Sequence, residues 1–333
     1  MKNNRSIWQV LGLVAMIALI ILLFAVFVDL EAVARELRAA NPRYLLAASA
    51  SLVSGLVVYA VRWRVLLGNK PTLLHTFYAS NVGHAGNIII PGRAGEAARI
   101  VIMGRSQAVS LTEATSSFVV ERLSEQVMRL LALGAAVVYG VGIEVTAITL
   151  AGSIGFILLI FAAIIFLVRN REATLAKGPA LLARLPRITE TSARASLSNL
   201  LANLTQVSAP RRLALVLLWS LLAWSCFWGF LYLTLLALGD AFAADVRPAL
   251  SLGALAISPP SAPTQPGLFH VSTVVPLAAV GFDAEALTAY AVILHIVEMI
   301  WMIGLALWGL MQMGLSPRVF TRGQHPKSPD TNL

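Results

Sequence analysis

Two membrane-length hydrophobic stretches of this chain are interrupted by proline, glycine and ionisable residues, and no feature of the sequence restricts the fold more. The first interruption reads Asn87-Ile-Ile-Ile-Pro-Gly-Arg-Ala-Gly-Glu-Ala-Ala-Arg99. In a helix facing lipid, Pro91, Gly92 and Gly95 would leave backbone groups unpaired, and Arg93, Glu96 and Arg99 would place charge in hydrocarbon. The stretch is therefore expected to be a broken helix lining a polar cavity.

The setting is a bilayer. Of 333 residues 58% are hydrophobic and only 12% charged, with a mean hydropathy of +0.79, which excludes an ordinary soluble domain. The net charge of +9 lies in segments flanking apolar tracts rather than in a basic domain with exposed aromatics, so a nucleic-acid partner is not expected. The single cysteine, Cys226, sits inside an apolar tract and excludes both an internal disulfide and a cysteine zinc site.

Ile7 to Val28 resembles a signal sequence but is longer than a cleaved hydrophobic region of about 7 to 15 residues, so it reads as a retained first helix. Asp29 to Arg43 is a polar loop. Tyr44 to Val61 is the next span, and Arg62, Arg64 and Lys70 after it read as cytoplasmic loop charges under the positive-inside rule. Leu73 to Met103 is too polar to cross twice and is expected to enter from the cytoplasm and return, as a re-entrant pair around Pro91-Gly92.

Ser110 to Gly142 reads as one long helix whose Glu121, Glu125 and Arg129 recur every four residues on a single inward face. Val145 to Val168 is a further span. The segment Arg169 to Arg212 carries eight basic residues against two acidic ones, the strongest cytoplasmic signal in the chain. It is expected to be a solvated loop, with an amphipathic segment on anionic lipid as the alternative. Leu213 to Leu238 crosses outward, and its Trp219, Trp224 and Trp228 read as packing or lipid contact. Pro248 to Val280 is broken at Pro259, Pro260, Pro263 and Pro266, next to Gly267, which forbids a continuous helix. Glu285 to Met311 is the last span.

With both termini cytoplasmic, this second broken pair must enter from outside, upside down relative to the first. The spacing agrees: Pro91 precedes Arg122 by 31 residues and Pro263 precedes His295 by 32, while Glu96 precedes Arg122 by 26 and His270 precedes His295 by 25. The competing account is that Pro and Gly kink two helices and the offsets are chance. The expected fold is thus an all-α polytopic membrane protein of about six full spans plus two re-entrant helix pairs arranged as an inverted repeat, an organisation that many secondary transporters use. Its parts are an N-terminal helix and external loop (1–43), a first repeat (44–142), a connecting span and basic loop (143–212), a second repeat (213–312) and a cytoplasmic tail (313–333).

Freed amides beside Pro91-Gly92 and Pro266-Gly267 favour an anionic group. Positive-inside bias accounts for Arg62, Arg64, Lys70 and Arg105 but not for Arg93, Glu96 and Arg99 within the break. His295 and Glu298 share a helix face, and Glu298 lies about 20 Å along its helix from Glu285. An acid at that depth needs a partner, with His270, His295 and Arg122 as candidates, either to carry a coupled proton or to hold the halves together.

Asn87 to Arg99 together with Glu121-Arg122 resembles the signature of the lysylphosphatidylglycerol synthase transmembrane-region family, also called flippase-like domain proteins. It includes the membrane half of multiple peptide resistance factor, archaeal dolichol-linked glycosylation proteins and hopanoid-associated proteins. Pro91, Gly92, Arg93, Gly95, Glu96, Arg99, Glu121 and Arg122 carry the resemblance. The second half departs from it: Pro263-Thr-Gln-Pro-Gly-Leu-Phe-His270 stands where relatives tend to have Pro-Gly-Gly-x-Gly-x-Phe-Glu, and His295 stands where an arginine is common. The resemblance implies movement or presentation of a lipid with a phosphate headgroup, a phospholipid or a polyprenyl-phosphate. Multiple peptide resistance factor has an aminoacyl-transferase domain after its membrane half; here the chain ends at Leu333, and aminoacylation is not expected.

The sequence reading is therefore a lipid translocase of the cell membrane, passive or ion-coupled because no phosphate-binding lysine loop is present. The headgroup is expected to meet Asn87, Arg93, Glu96, Arg99, Glu121 and Arg122 on one side and Gln265, His270, His295 and Glu298 on the other. No catalytic residue, metal or cofactor is expected; His75 and His84, nine residues apart, share no helical face. The alternative is a non-transporting accessory subunit whose partner is a glycosyltransferase or lipid synthase.

Overall fold

The computed structural model describes residues 35, 38–89, 94–106, 108–138, 155, 158–159, 162, 165–184, 189–207, 209–239, 242–257 and 284–315. Among them the helices are α1 (Pro42–Leu66), α2 (Leu73–Ile89), α3 (Ala94–Gly104), α4 (Leu111–Val138), α5 (Arg171–Leu182), α6 (Glu190–Val207), α7 (Pro210–Ala237), α8 (Arg247–Ile257) and α9 (Ala284–Gln312), with no strand among the described residues. Three described helices are long and apolar enough to cross a membrane: α1, α7 and the Ala286–Gln312 part of α9. The molecule is a helical membrane protein. Of the other spans expected from sequence, Ile7–Val28 lies outside the described residues and Val145–Val168 does so for most of its length.

The central pair is α1 with α7. Asn41 N–H donates to the Ala237 carbonyl (2.8 Å), Ser51 Oγ to the Cys226 carbonyl (2.7 Å), and Arg62 Nη1 to Ser220 Oγ (3.4 Å). Partners run backwards along α7 as they run forwards along α1, so the pair is antiparallel. Small residues let the helices approach: a Cβ on Gly55 would lie 2.6 Å from the Phe227 ring, and one on Gly229 would lie 2.6 Å from Ser51 Oγ. Local signals set the ends of α1. Asn41 caps its start with Pro42 in the first turn, and Gly68, at φ +69°, closes its end with N–H bonds from Gly68 to Val65 and from Asn69 to Arg64.

Helices α2 and α3 pack against each other across the first interruption, of which Pro91, Gly92 and Arg93 lie outside the described residues. Their closest approach is at Gly83 and Gly95, where a Cβ on Gly95 would sit 1.9 Å from the Gly83 carbonyl oxygen and 2.6 Å from the Asn87 nitrogen. Helix α4 packs on α3 and begins in a capping box, with Ser110 N–H donating to Glu113 Oε2 (2.8 Å) and Glu113 N–H to Ser110 Oγ (3.2 Å). Helix α9 lies along α2, with the Tyr78 ring edge-on to Trp308 at 5.3 Å, and α8 lies along α4 and α7, with Trp228 Nε1 donating to Ser251 Oγ (2.9 Å).

Two expectations change. Helix α1 runs five residues past Val61, and Arg62, expected in a loop, is fully buried within it. The apolar face of α1 continues through Trp63, Val65 and Leu66, so the helix has reason to go on. The basic segment after Val168 is also not an open loop: it contains α5 and α6, and α6 packs on α4 with Ala193, Leu201 and Leu204 buried. Its polar residues had obscured a sparse apolar face.

The Gly83–Gly95 contact yields a stability prediction. Gly95→Ala is expected to cost about 1–3 kcal/mol, because backbone oxygen cannot give way as a side chain can. Gly134→Ala, where a new Cβ meets nothing within 4 Å, should leave stability unchanged or improved. Thermal unfolding of the two purified variants in detergent checks the contrast.

Candidate functional site

Between α1, α3 and α4 lies a largely buried cluster of charged side chains. Glu121 is its centre. Its Oε1 accepts from Arg99 Nη2 (2.7 Å) and from the Tyr59 hydroxyl, and it lies 3.2 Å from Arg62 Nη2 and 3.5 Å from Arg122 Nη2. One turn on, Glu125 Oε1 faces Arg62 Nη2 (3.0 Å) and Tyr59 Oη (2.9 Å), while its Oε2 faces Arg122 Nη1 (2.8 Å). Glu96 lies 3.4 Å from Arg122 Nη1. Three arginines and three glutamates thus balance in formal charge.

The local chain explains how they meet. Glu121 and Glu125 are four apart on α4, Tyr59 and Arg62 are three apart on α1, and Glu96 and Arg99 are three apart on α3; each pair shares one face. Aromatic rings form the walls. The Arg62 guanidinium lies over Tyr59 (4.1 Å), that of Arg99 over Trp63 (4.8 Å) and Phe118 (5.3 Å), and that of Arg122 over Phe118 (4.8 Å). Planar guanidinium suits this stacking while its edge stays free for carboxylates. Ser117 Oγ accepts from Trp63 Nε1 (3.0 Å) and orients that wall.

Burial is graded. The side chains of Arg62 and Glu121 are 0% exposed and those of Arg99 and Glu125 are 3% exposed, whereas Arg122 is 21% exposed and Glu96 15% exposed. The Glu96–Arg122 pair is the mouth of the cluster. Some hydrogen-bonding capacity inside is unused by the described residues: Arg99 Nη1, Arg62 Nε, Glu121 Oε2 and the Nε2 of His84, whose ring is edge-on to Tyr59 at 5.1 Å.

The structure brings Glu96, Arg99, Glu121 and Arg122 into one ion-pair network. Asn87 is adjacent but occupied, since its Oδ1 accepts from the Glu96 N–H (3.2 Å) and caps the first turn of α3. His295 and Glu298 are buried on α9, and the ion pairs described above include neither. Arg93, Gln265, His270, Pro91, Gly92, Pro263, Pro266 and Gly267 lie outside the described residues. Sequence reasoning missed Tyr59, Arg62 and His84 as members. For Arg62 the available signal was the apolar run through Leu67, which extends the helix beyond it.

Chemically, the cluster holds charge without exposing it. Among the described residues no group of three or more His, Cys, Asp or Glu is arranged to hold a metal ion, and the glutamates here already face arginines. What the mouth offers is an exchangeable pair: an incoming phosphate can take Arg122, while Glu96 can receive a cationic group.

A helix bundle with membrane-length apolar helices and a buried, self-neutralised charged cluster defines a helical integral membrane protein. The chain belongs to the lysylphosphatidylglycerol synthase TM region family, whose model matches residues 9–306. No curated protein and no solved structure matches it.

Removing one member of the network strands its partners. Arg62→Met is expected to cost about 3–5 kcal/mol, because Glu121 and Glu125 lose a shared guanidinium in a site water does not reach. Adding Glu125→Gln should recover part of that loss, and a double-mutant cycle on thermal unfolding in detergent measures the coupling.

Proposed function

We propose that this protein moves a lipid with a phosphate headgroup between leaflets of the cell membrane. The observation that carries the reading is the burial gradient from the Glu96–Arg122 mouth to the sealed Glu121 centre. A headgroup phosphate exchanges with Glu96 for Arg122, and the deeper arginines hold the site's shape. Membership of the family supports a flippase-like role.

We read the helices as an inverted repeat, which would give access from either face; helix offsets and packing support that reading. Helix α8 begins 174 residues after α2 (247 against 73), α9 begins 173 after α4 (284 against 111), and α9 ends 174 after α4 (312 against 138). Exchanging α1 with α7, α2 with α8 and α4 with α9 leaves the packing scheme unchanged: α2 on α9 becomes α8 on α4, α1 on α2 becomes α7 on α8, and α1 on α4 becomes α7 on α9. The antiparallel α1–α7 pair lies at the exchange axis. On this reading α2 and α3 form a re-entrant pair opening to the cytoplasm, both termini are cytoplasmic, and the second break, with Gln265, His270, His295 and Glu298, serves the external side.

The test is headgroup-resolved lipid exchange in proteoliposomes. Glu96→Gln, which leaves no carboxylate to displace the bound phosphate again, and Arg122→Lys, which keeps the charge but loses the planar fork, each should slow exchange about tenfold or more. Lipid that binds without exchanging in the wild type would overturn the translocase and favour an accessory subunit of a glycosyltransferase or lipid synthase.

A further inference from the structure

Glu298 stands near the middle of α9, about 18 Å from Ala286 and about 21 Å from Gln312 at the helical rise. It is 5% exposed, and Leu294 and Met302, one turn to either side of it, are fully buried in the apolar core. Helix α9 contains no lysine or arginine. Among the described residues no ion pair and no hydrogen bond reaches the Glu298 carboxyl.

The helices packed on α9 are α2, α7 and α1, and their titratable groups are engaged elsewhere. On α2, His84 is edge-on to Tyr59, Tyr78 meets Trp308 ten residues beyond Glu298, and His75 sits in the first turn. On α7, Tyr232 lies against Trp228 (5.7 Å), and Cys226 is the residue that meets Ser51. On α1, Tyr59 and Arg62 face Glu121 and Glu125, and Arg64 Nε donates to the Pro71 carbonyl (2.9 Å). On α9 itself, Tyr290 lies two turns before Glu298 and donates its hydroxyl to the Leu231 carbonyl (3.2 Å), and His295 lies one turn before it. A carboxylate in apolar surroundings is costly unless a counter-charge offsets it, whereas the neutral acid needs none. The proposed repeat sharpens the contrast. Glu298 stands where the first half has Glu125, which faces Arg62 (3.0 Å) and Arg122 (2.8 Å); their counterparts are Leu235 and His295. The second half keeps the acid and drops both guanidinium groups.

We infer that Glu298 is a proton-binding site and that its proton crosses the membrane together with the lipid phosphate. This inference deepens the proposed function and rests on it for the lipid. Charge gives the direction of coupling. The cluster at Glu121 balances three arginines with three glutamates, so an incoming phosphate leaves one negative charge over. Glu298 as the neutral acid adds nothing to that charge, and as carboxylate it adds a second. The phosphate therefore travels with the acid protonated. Once the phosphate has left, the carboxyl gives its proton to water on the same side and the carboxylate is reprotonated from the other.

Two measurements on the full-length protein test this. In proteoliposomes holding fluorescent phosphatidylglycerol and a pH difference, lipid is expected to gather in the leaflet facing the alkaline side, by up to about tenfold per pH unit for one proton per lipid, over the baseline of protein-free vesicles. Glu298→Gln, which keeps the shape of the neutral acid, should leave the leaflet ratio at that baseline. In an ester-free detergent, infrared difference spectra between acid and alkaline buffer should show a carboxylic-acid carbonyl band that Glu298→Gln removes and Glu298→Asp displaces. A wild-type leaflet ratio at the baseline, lipid gathering on the acid side, continued accumulation by Glu298→Gln, or a band that survives that substitution would each overturn the assignment. The wild-type ratio needs no variant to fold. A Glu298 band without leaflet exchange removes the translocase and keeps the proton site; exchange indifferent to the gradient, with no such band, does the reverse.

Discussion

A fully buried carboxylate with three guanidinium neighbours, Glu121, is the constraint from which the rest of the structure follows. An ion moved from water into a low-dielectric interior loses several kcal/mol of solvation, and only close, well-oriented partners offset that loss. Glu121 draws them from α1 and α3 and from its own helix, so three helices are held at one point. Each arginine must in turn be balanced, which brings in Glu125 and Glu96. Such a network is weak evidence of high stability, but it specifies register strongly: a one-residue slip of α4 would rotate both glutamates away from Arg62 and leave charge buried alone.

The interruption before α3 is what makes the register attainable. Helix α3 packs back on α2, and that packing has to seat Arg99 beside Glu121. The Gly83–Gly95 approach does that by bringing the backbones so close that no side chain fits between them. Asn87 then serves the hairpin by capping the Glu96 amide, and Glu96 is left facing Arg122. Backbone economy in three small or polar residues is thus converted into the position of two charges. Helix α6, which packs on α4, ties this centre to the basic segment that precedes α7.

Much of this was legible in the sequence where periodicity speaks. The four-residue recurrence of Glu121 and Glu125 marked an inward face because charge on a membrane helix has few places to go. The limits of α7 and α9 fell within a few residues of the apolar tracts at 213–238 and 285–311. Arg62 was illegible for a physical reason. An arginine at the end of an apolar tract looks the same whether it flanks the membrane or pairs with a buried acid, and only the folding back of the chain between Arg62 and Glu121 distinguishes the cases. Tyr59 gave no signal, since tyrosine in an apolar helix is ordinary until a carboxylate faces its hydroxyl. Asn87 read as a headgroup ligand because sequence cannot separate a side chain that binds from one that caps.

The two halves are also unequal, and the inequality has a direction. At the 173-residue offset of the proposed repeat, Tyr59 corresponds to Tyr232, Arg122 to His295 and Glu125 to Glu298. Arg62 corresponds to Leu235, which is fully buried and supplies no counter-charge. The first half therefore carries a permanent guanidinium where the second carries hydrocarbon, and a second one where the other carries an imidazole. An inverted repeat with identical halves would present the same affinity to both leaflets. Under the proposed function a phosphate would meet fixed positive charge in the first half and His295, with Glu298 three residues on, in the second, so the proposal expects a stronger hold on the first side. Unequal grip across the proposed repeat would let the proposed translocase favour capture on one face and release on the other.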